Sequence, residues 1–218
     1  MSEVADMELT RDEWLKALTD RHGKERQEKF LNATVAVCGL GGLGSNIAIC
    51  LTRAGIGKLI LIDFDRVDPT NLNRQQYKMC QLGRFKTEAL AENLREITPY
   101  VELEYHTVKL TEENIPELLK DADIVCEAFD KADNKAMLVN TVLEKFEDKI
   151  IVSGSGMAGF SSANTIQTRK IMKRLYLCGD TESDVNDGIG LVASRVMVCA
   201  AHEAHAVLRI LAEEKGNI

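Results

Sequence analysis

The chain has 218 residues, of which 45% are hydrophobic and 28% are charged, a composition typical of a globular protein. This length predicts one well-buried domain over 1–218, and the net charge of −7 argues against DNA or RNA as a general partner. No apolar run approaches the roughly 20 residues of a membrane span. The start of the chain is acidic and polar, unlike a signal sequence, so a cytoplasmic protein without a membrane partner is expected.

The six cysteines are scattered along the chain without a CxxC pair. Most lie in apolar contexts, where free cysteine behaves as a small hydrophobic residue. A disulfide framework is not expected in a reducing compartment, and no spacing suits a structural zinc site. We therefore expect no zinc.

The segment 1–32 is predicted to be helical. Thr10 and Glu13 have the spacing of a capping box, so a first helix is expected from there to Asp20. Gly23 interrupts the pattern, and a second short helix reaches Leu31.

Residues 34–44 predict a buried strand followed by a glycine-rich turn. The strand, 34–38, is nearly all apolar, as in a parallel sheet that is covered on both faces. In the turn, Gly39 permits a sharp bend, Gly41 leaves room for phosphate oxygens near backbone amides, and Gly44 lets the next helix lie close to the sheet. Such a turn is typical of a nucleotide-phosphate site.

The helix that follows is expected to open around Leu43, so that its unpaired N–H groups and positive dipole end face an anion. Asp63 comes 19 positions after Gly44, at the end of a second apolar strand at 58–62. A carboxylate at this place can accept hydrogen bonds from both ribose hydroxyls. The alternative, a glycine turn without a ligand, is disfavoured because strand, helix and acid are all in register.

A long polar connection, 63–82, follows the second strand, and connections of this length in compact domains are usually functional. Asn71 and Arg74 lie one helical turn apart within it, and Lys86 lies just inside the next helix. Cations are expected where negative charge develops on a leaving pyrophosphate. For Lys86 alone, a solvated surface residue is an equally good interpretation.

Strands and helices then alternate as far as residue 152. The pattern predicts helices at 84–98, 111–119 and 132–146 and strands at 101–106, 123–127 and 150–152. This order implies an α/β fold, a doubly wound, mostly parallel Rossmann-like sheet with right-handed crossovers, in which 33–160 is the nucleotide-binding core.

The alternation of single strands and helices does not continue in 161–218. Late antiparallel strands are predicted at 163–167 and 175–178, then an acidic loop at 180–187 and a long helix at 192–211. That helix carries more apolar surface than a small sheet needs to cover, which predicts a homodimer; the residues concerned are Val192, Val196, Val198 and Val207.

Two further residues are candidates for chemistry. Asp130 follows the fourth strand and therefore emerges at the carboxyl edge of the sheet, where it either caps the next helix or serves as a Mg²⁺ ligand beside a triphosphate. Cys178 lies beside Gly179 and a polar loop. It is either an exposed, reactive thiol or a buried cysteine at a strand end.

Five motifs occur in order along the core: GLGGLGS at 39–45, IDFD at 62–65, NLNRQ at 71–75, GRFK at 83–86 and FD at 129–130. Together they resemble the ThiF/MoeB/HesA family, the bacterial relatives of ubiquitin-activating enzymes. The resemblance covers about 33–160 and is strongest to the short ThiF-type sulfur-carrier-protein adenylyltransferases.

The resemblance implies an activity. Such an enzyme uses ATP and Mg²⁺ to adenylate the C-terminal glycine of a small ubiquitin-like sulfur carrier (ThiS-like) that ends in Gly-Gly, here in thiamine biosynthesis. The nucleotide-binding residues expected from the turn and the resemblance are Gly39, Gly41, Gly42, Leu43, Gly44, Asp63, Asp65, Asn71, Arg74, Gln75 and Lys86.

The candidate catalytic residues are Arg74, Lys86, Asp130 as the magnesium ligand, Cys178 and Arg21. Arg21 is included because many relatives supply an arginine from an amino-terminal Arg-Tyr-x-Arg-Gln pattern to the partner subunit's site. Arg11, Arg21 and Arg26 are the arginines available here, and Arg21 is the preferred candidate.

Other interpretations stay open at this stage. One is an ATP-dependent dehydratase acting on threonylcarbamoyladenosine in transfer RNA, which the acidic charge balance disfavours mildly. Another is an NAD-dependent oxidoreductase, which the glycines and Asp63 would satisfy but the polar cluster at 71–86 would not explain. A third is a binding module that has kept the nucleotide fold without turnover.

Overall fold

The computed structural model describes residues 9–186, 188 and 190–214. Its helices are α1 (Arg11–His22), α2 (Lys24–Asn32), α3 (Gly42–Ala54), α4 (Lys86–Ile97), α5 (Ile115–Leu118), α6 (Ala132–Lys145) and α7 (Ala193–Leu211). Its strands are β1 (Thr34–Cys38), β2 (Lys58–Asp63), β3 (Glu102–Thr107), β4 (Ile124–Glu127), β5 (Ile150–Gly154), β6 (Gln167–Met172) and β7 (Leu175–Gly179).

The strands form one sheet in the order β3-β2-β1-β4-β5-β7-β6, in which every neighbouring pair is parallel except β6 with β7. The predicted α/β fold with a mostly parallel sheet is therefore confirmed. The chain runs from β1 to β2 and β3 on one side of the sheet, and then crosses to β4 and β5 on the other side of β1. This reversal creates a crevice between the carboxyl ends of β1 and β4, the usual ligand position in open α/β sheets.

The sheet is covered on both faces, which explains the apolar sequence of β1. Val35 and Val37 pack with α3, α4 and α7 on one face, and Ala36 and Cys38 pack with α5 and α6 on the other. All four side chains are fully buried. Such two-sided burial stabilises the central strands by about 1.5–3 kcal/mol for each large apolar side chain.

The amino-terminal helices lie at the amino edge of the sheet, away from this crevice. The predicted capping box is present, because Thr10 Oγ1 accepts from the Glu13 amide at 3.3 Å and Glu13 accepts from the Thr10 amide at 2.9 Å. The carbonyl of Phe30 accepts the Gly57 amide at the entry to β2. A side chain on Gly57 would lie 1.8 Å from the Leu31 carbonyl oxygen, so this contact requires glycine.

The prediction for the late strands is partly wrong. Residues Ala163–Thr165 form a 3-10 turn, in which Ser162 Oγ accepts the Asn164 amide, and the strand begins only at Gln167. The strand predicted at 175–178 exists as β7, but it pairs in parallel with β5 as well as antiparallel with β6. The acidic loop predicted at 180–187 falls in part outside the described residues, since it includes Asp187.

The apolar surface of α7 is largely covered by the chain itself. Val196 and Val207 are 1% and 0% exposed, because α7 packs along α3 and the sheet. The apolar surface of α7 that is left for a second subunit is therefore smaller than expected, and the homodimer stays a prediction. Among the described helices, none is both long enough and apolar enough to cross a membrane.

Candidate functional site

The glycine turn between β1 and α3 lies in the crevice at the carboxyl edge. Gly39 has φ +90°, and a Cβ there would lie 2.9 Å from the Ala128 carbonyl oxygen, so the turn runs directly beneath the end of β4. A Cβ on Gly44 would lie 1.8 Å from the Gly39 carbonyl oxygen. These two glycines therefore shape the turn. Gly41 differs, because its nearest neighbour, Gln75 Nε2, is 3.8 Å from a Cβ position, which leaves the turn open.

Helix α3 begins at Gly42 without a side-chain cap, since its N-cap residue is Gly41. Its first amides therefore have no side-chain acceptor, and the positive end of the helix dipole is directed into the crevice. This is a general arrangement for binding phosphate. A Cβ on Gly42 would lie 3.5 Å from Arg74 Cγ, which places the arginine beside the helix start.

Asp63 closes the crevice at the end of β2. It is 8% exposed, and its two oxygens accept the amides of Leu40 at 2.6 Å and Asp65 at 2.7 Å. Burial raises the pKa of Asp63 above its ordinary value, while the charge of Lys86 and the two amides act in the opposite direction. The carboxylate thus fixes both neighbouring loops, and each oxygen keeps a lone pair that can accept a ribose hydroxyl.

Lys86, at the start of α4, is only 5% exposed, so its interpretation as a solvated surface residue is wrong. Its Nζ donates to Asp65 Oδ2 at 2.9 Å, and its amide donates to the Asp65 carbonyl at 3.0 Å. Asp65 therefore holds this ammonium group at the carboxyl edge of β2.

Arg74 and Gln75 contain the unusual feature of this site. Arg74 Nη1 donates to the Thr70 carbonyl at 3.0 Å and to Asn73 Oδ1 at 2.8 Å, but its Nε is buried and unpartnered in the part of the chain that the structure describes. The same holds for Gln75 Oε1. Buried polar atoms are nearly always hydrogen-bonded in native proteins, so two unpartnered atoms beside an open glycine turn suit a polar ligand. Four other buried atoms of the described residues also have no partner, so the position of these two beside the turn is what distinguishes them.

Asn71 has a local role. Its Oδ1 accepts the Asp68 amide at 3.0 Å, so it caps the short turn that precedes Arg74.

The segment that carries Arg74 is attached to α3 by residues that were not predicted from the sequence. Asn46 Nδ2 donates to the carbonyls of Gly42 at 2.7 Å and Arg74 at 3.2 Å, and Ser45 Oγ accepts the Gln76 amide at 3.2 Å. Tyr77 donates its hydroxyl to the Leu40 carbonyl at 2.7 Å. The available signal was a pair of polar residues, Ser45 and Asn46, in the otherwise apolar stretch 42–51 of α3.

Asp130 lies across the crevice, in the turn between β4 and α6. It is exposed and has no hydrogen-bond or ion-pair partner among the described residues. Its interpretation as a helix cap is wrong, because the N-cap position is Lys131 and has no side-chain cap bond. The described residues contain no group of three or more His, Cys, Asp or Glu that could hold a metal ion. A Mg²⁺ ion at Asp130 would thus take its other ligands from phosphate and water, as this ion commonly does.

Two of the predicted catalytic residues, Cys178 and Arg21, do not line the crevice, contrary to the expectation from the sequence. Cys178 is fully buried in β7, burial raises the pKa of its thiol far above the ordinary value, and Thr168 Oγ1 lies 3.4 Å from its sulfur. The exposed-thiol interpretation is therefore contradicted, and the buried strand-end interpretation is correct.

Arg21 is exposed in the last turn of α1, while Arg26 pairs with Glu214 at 2.6 Å. Within one chain, Arg21 lies on the side of the sheet away from the crevice.

Fold and site together define a Rossmann-like domain with an anion-binding glycine turn at the switch point of the sheet. The family model "ThiF family" matches residues 15–217, and the chain belongs to this family.

Two curated relatives illustrate the similarity in sequence. "Adenylyltransferase and sulfurtransferase MOCS3" of Caenorhabditis briggsae is 36% identical over 64% of this chain and 35% of its own length. "Ubiquitin-like modifier-activating enzyme 5" of Xenopus laevis is 47% identical over 40% of this chain and 22% of its own length. The chain thus matches about a third or less of these relatives.

Solved structures show the same fold over nearly the whole chain. The E. coli tRNA N6-threonylcarbamoyladenosine dehydratase TcdA, in complex with ATP, superposes with a TM-score of 0.84 at 22% identity, covering 94% of this chain and 96% of that one. E. coli MccB with ATP gives a TM-score of 0.66 at 22% identity, covering 89% of this chain and 60% of that one.

Proposed function

We propose that this protein is an ATP-dependent adenylyltransferase that activates the C-terminal glycine of a ubiquitin-like sulfur-carrier protein, in thiamine biosynthesis. The observation that carries the proposal is the pair of orphaned buried atoms, Arg74 Nε and Gln75 Oε1, beside the uncapped start of α3. Support also comes from the names of the relatives, one an adenylyltransferase and sulfurtransferase, another an activating enzyme for a ubiquitin-like modifier.

The site suits in-line displacement at the α-phosphorus of ATP. A carboxylate oxygen of the carrier's last glycine attacks phosphorus, the bond from phosphorus to the bridging oxygen breaks, and pyrophosphate leaves with that electron pair. This step moves no proton, so it needs alignment and charge stabilisation rather than an acid–base pair.

Each residue then has a defined task. The amides of Gly41 and Gly42 bind phosphate oxygens, Asp63 accepts the ribose hydroxyls, and Arg74 and Lys86 offset the charge of the leaving pyrophosphate. Mg²⁺ bound with ATP would neutralise phosphate charge. Asp130 is suited to hold it, since its carboxylate is exposed and unpartnered among the residues described.

The proposal is tested by isotope exchange between pyrophosphate and ATP. Exchange is expected with a small carrier protein that ends in Gly-Gly and not with the same carrier lacking its last glycine, which removes the attacking carboxylate from its position. Arg74→Met should lower the exchange rate at least tenfold. Absence of exchange with every such carrier, together with absence of ATP binding in calorimetry, would refute the proposal.

A second candidate is an ATP-dependent dehydratase on threonylcarbamoyladenosine in transfer RNA. The observation that favours it is the superposition on TcdA over nearly the full length of both chains. The net charge of −7 disfavours it, because transfer RNA requires a basic surface. Release of AMP that depends on added modified transfer RNA, and not on a carrier protein, would decide for this candidate. The family match gives no support to an NAD-dependent oxidoreductase.

The proposal includes a homodimer. Arg21 lies at the amino edge, so it can serve a site only across a subunit interface. Sedimentation velocity on the wild-type protein tests the assembly, and a monomer at micromolar concentration would remove Arg21 from the proposed machinery.

A further inference from the structure

A buried ion pair brackets the turn that carries Asp130. Glu127 is the last residue of β4 and is fully buried, and Lys135 lies near the start of α6. Lys135 Nζ donates to Glu127 Oε2, so the pair joins the end of β4 to the first turn of α6 across the turn that carries Asp130. The resemblance of the motifs assigned no task to either residue.

The pair also binds the backbone of the turn and of β5, which both lie on the β4 side of the crevice. Glu127 Oε1 accepts the Phe129 amide at 2.7 Å, inside the turn, and Glu127 Oε2 accepts the hydroxyl of Ser153 in β5. Lys135 Nζ donates to the Gly154 carbonyl at 2.8 Å, at the end of β5. Four elements therefore meet at one carboxylate: β4, the turn, α6 and β5.

We propose that Glu127 and Lys135 form a clamp that sets the conformation of the β4–α6 turn and so holds Asp130 toward the phosphates. Both are positioning residues, since neither needs to touch ATP. The inference rests on the proposed adenylation and deepens that proposal, because it assigns the two residues that position the metal ligand, Asp130.

Energetics favour a positional role over a stabilising one. A buried ion pair is often no more stabilising than an apolar pair of the same volume, because both charges must be removed from water. A carboxylate that accepts a turn amide, a hydroxyl and an ammonium group does, however, define one backbone geometry. The Asp130 side chain itself has no hydrogen-bond or ion-pair partner within 9–186, 188 and 190–214.

A second buried carboxylate lies next to the clamp. Glu203 in α7 is fully buried, its Oε2 has no partner among the described residues, and a Cβ on Gly154 would lie 2.6 Å from its Oε1. Burial and the charge of Glu127 raise the pKa of Glu203 well above its ordinary value, while the charge of Lys135 acts in the opposite direction. The ammonium group of Lys135 contacts Glu127.

The first test is amide hydrogen exchange on the full-length protein. Lys135→Met should accelerate exchange of the amides at 128–134 at least tenfold, because the Phe129 amide and the start of α6 lose their common anchor. The matched control is Lys149→Met. Lys149 is also a buried lysine, 4% exposed, that donates to two backbone carbonyls at the amino edge. It should leave exchange at 128–134 within twofold of wild type.

The second test is calorimetric titration with ATP, with and without Mg²⁺. Wild-type protein is expected to bind ATP at least tenfold more tightly with Mg²⁺, and Asp130→Asn should remove that gain. Lys135→Met should also remove it while changing metal-free ATP affinity less than threefold. Lys135→Arg, which keeps the charge and can donate to both acceptors, should restore at least part of it. A purely structural role would lower all affinities in proportion to stability.

The results separate the two proposals. If wild-type protein binds no ATP, adenylation fails as the function, and the exchange experiment alone decides whether the clamp orders the turn. The clamp is refuted if Lys135→Met and Lys149→Met give the same exchange at 128–134, or if the turn loosens while the Mg²⁺-dependent gain persists. Should Lys135→Met not fold, the double variant Glu127→Gln/Lys135→Met removes both charges and carries the same expectations.

Discussion

Buried polar side chains at the amino edge of the sheet can be compared with those of the candidate site at the carboxyl edge. Within the described ranges, unpartnered buried atoms also occur away from that site, at Thr52 Oγ1 and Arg209 Nε. At the amino edge, Lys149 donates to two carbonyls at 2.8 and 2.7 Å, and Gln27 donates to two carbonyls between α3 and β2. At the carboxyl edge, Arg74 and Gln75 keep buried atoms without partners among the described residues, and Asp130 stands exposed. Satisfied groups stabilise the fold, whereas unsatisfied ones lower its stability and suit a ligand.

The largest effects are expected from a pair of matched glycine substitutions in the same turn, which separate a structural role from a role in binding. Gly44→Ala should cost about 3 kcal/mol or more of unfolding free energy, because its Cβ would overlap the Gly39 carbonyl oxygen at 1.8 Å. Gly41→Ala meets nothing closer than 3.8 Å and should fold normally, yet weaken ATP binding at least tenfold.

Urea unfolding measures the first effect of the glycine pair and calorimetry the second. A Gly41→Ala protein that binds ATP as wild type does would show that phosphate does not approach this part of the turn.

Asp130→Asn should lower the pyrophosphate exchange rate at least 100-fold, since the uncharged amide is a poor ligand for Mg²⁺. The free energy of unfolding should change by less than about 0.5 kcal/mol, as for other exposed positions without partners. Steady-state exchange and urea denaturation on the same preparation provide the two numbers. A loss of stability that accounts for the loss of rate would contradict the assignment.

The accessibility of the thiol is expected to differ between two cysteines, Cys80 and Cys178. Cys80 is exposed and Cys178 is buried, and the raised pKa of Cys178 keeps its thiol protonated. Alkylation by iodoacetamide at pH 8 should therefore modify Cys178 at least 100-fold more slowly than Cys80 in the native protein. Peptide mass spectrometry follows both sites, with urea-unfolded protein as the control in which the two rates converge. Rapid native labelling of Cys178 would restore its interpretation as a reactive thiol.

The smallest expected effect concerns pH. Because the pKa of Glu203 is raised in the folded protein, folding retains a proton that the unfolded chain loses above its pKa of about 4.5. The stability contributed by this protonated group is complete below that pH and is lost as the pH rises toward the folded pKa, at most about 1.4 kcal/mol per unit.

Glu203→Gln keeps the acceptor for Cys199 and removes this titration. The variant should therefore gain stability relative to wild type between pH 5 and pH 8. Equal pH dependence of urea unfolding in both proteins would show that Glu203 is not protonated in the fold.

Much of the site could be predicted because it depends on local sequence. The turn from Gly39 to Gly44 and the acid at Asp63 follow from the chemistry of adjacent residues, since a glycine turn and a strand end are set within a few positions. The late strands were harder to predict. Residues 163–167 were predicted to form a strand, but the side chain of Ser162 accepts the Asn164 amide and forms a turn instead.

The sequence by itself determined the fold class, the family, and the glycine turn and acid at the crevice, because these depend on short-range patterns and on strand order. Only the tertiary structure decided that Cys178 is buried, that Lys86 is held by Asp65, and that Glu127 meets Lys135 behind Asp130. Burial and ion pairing depend on which distant segments pack together. No local pattern of residues specifies those contacts.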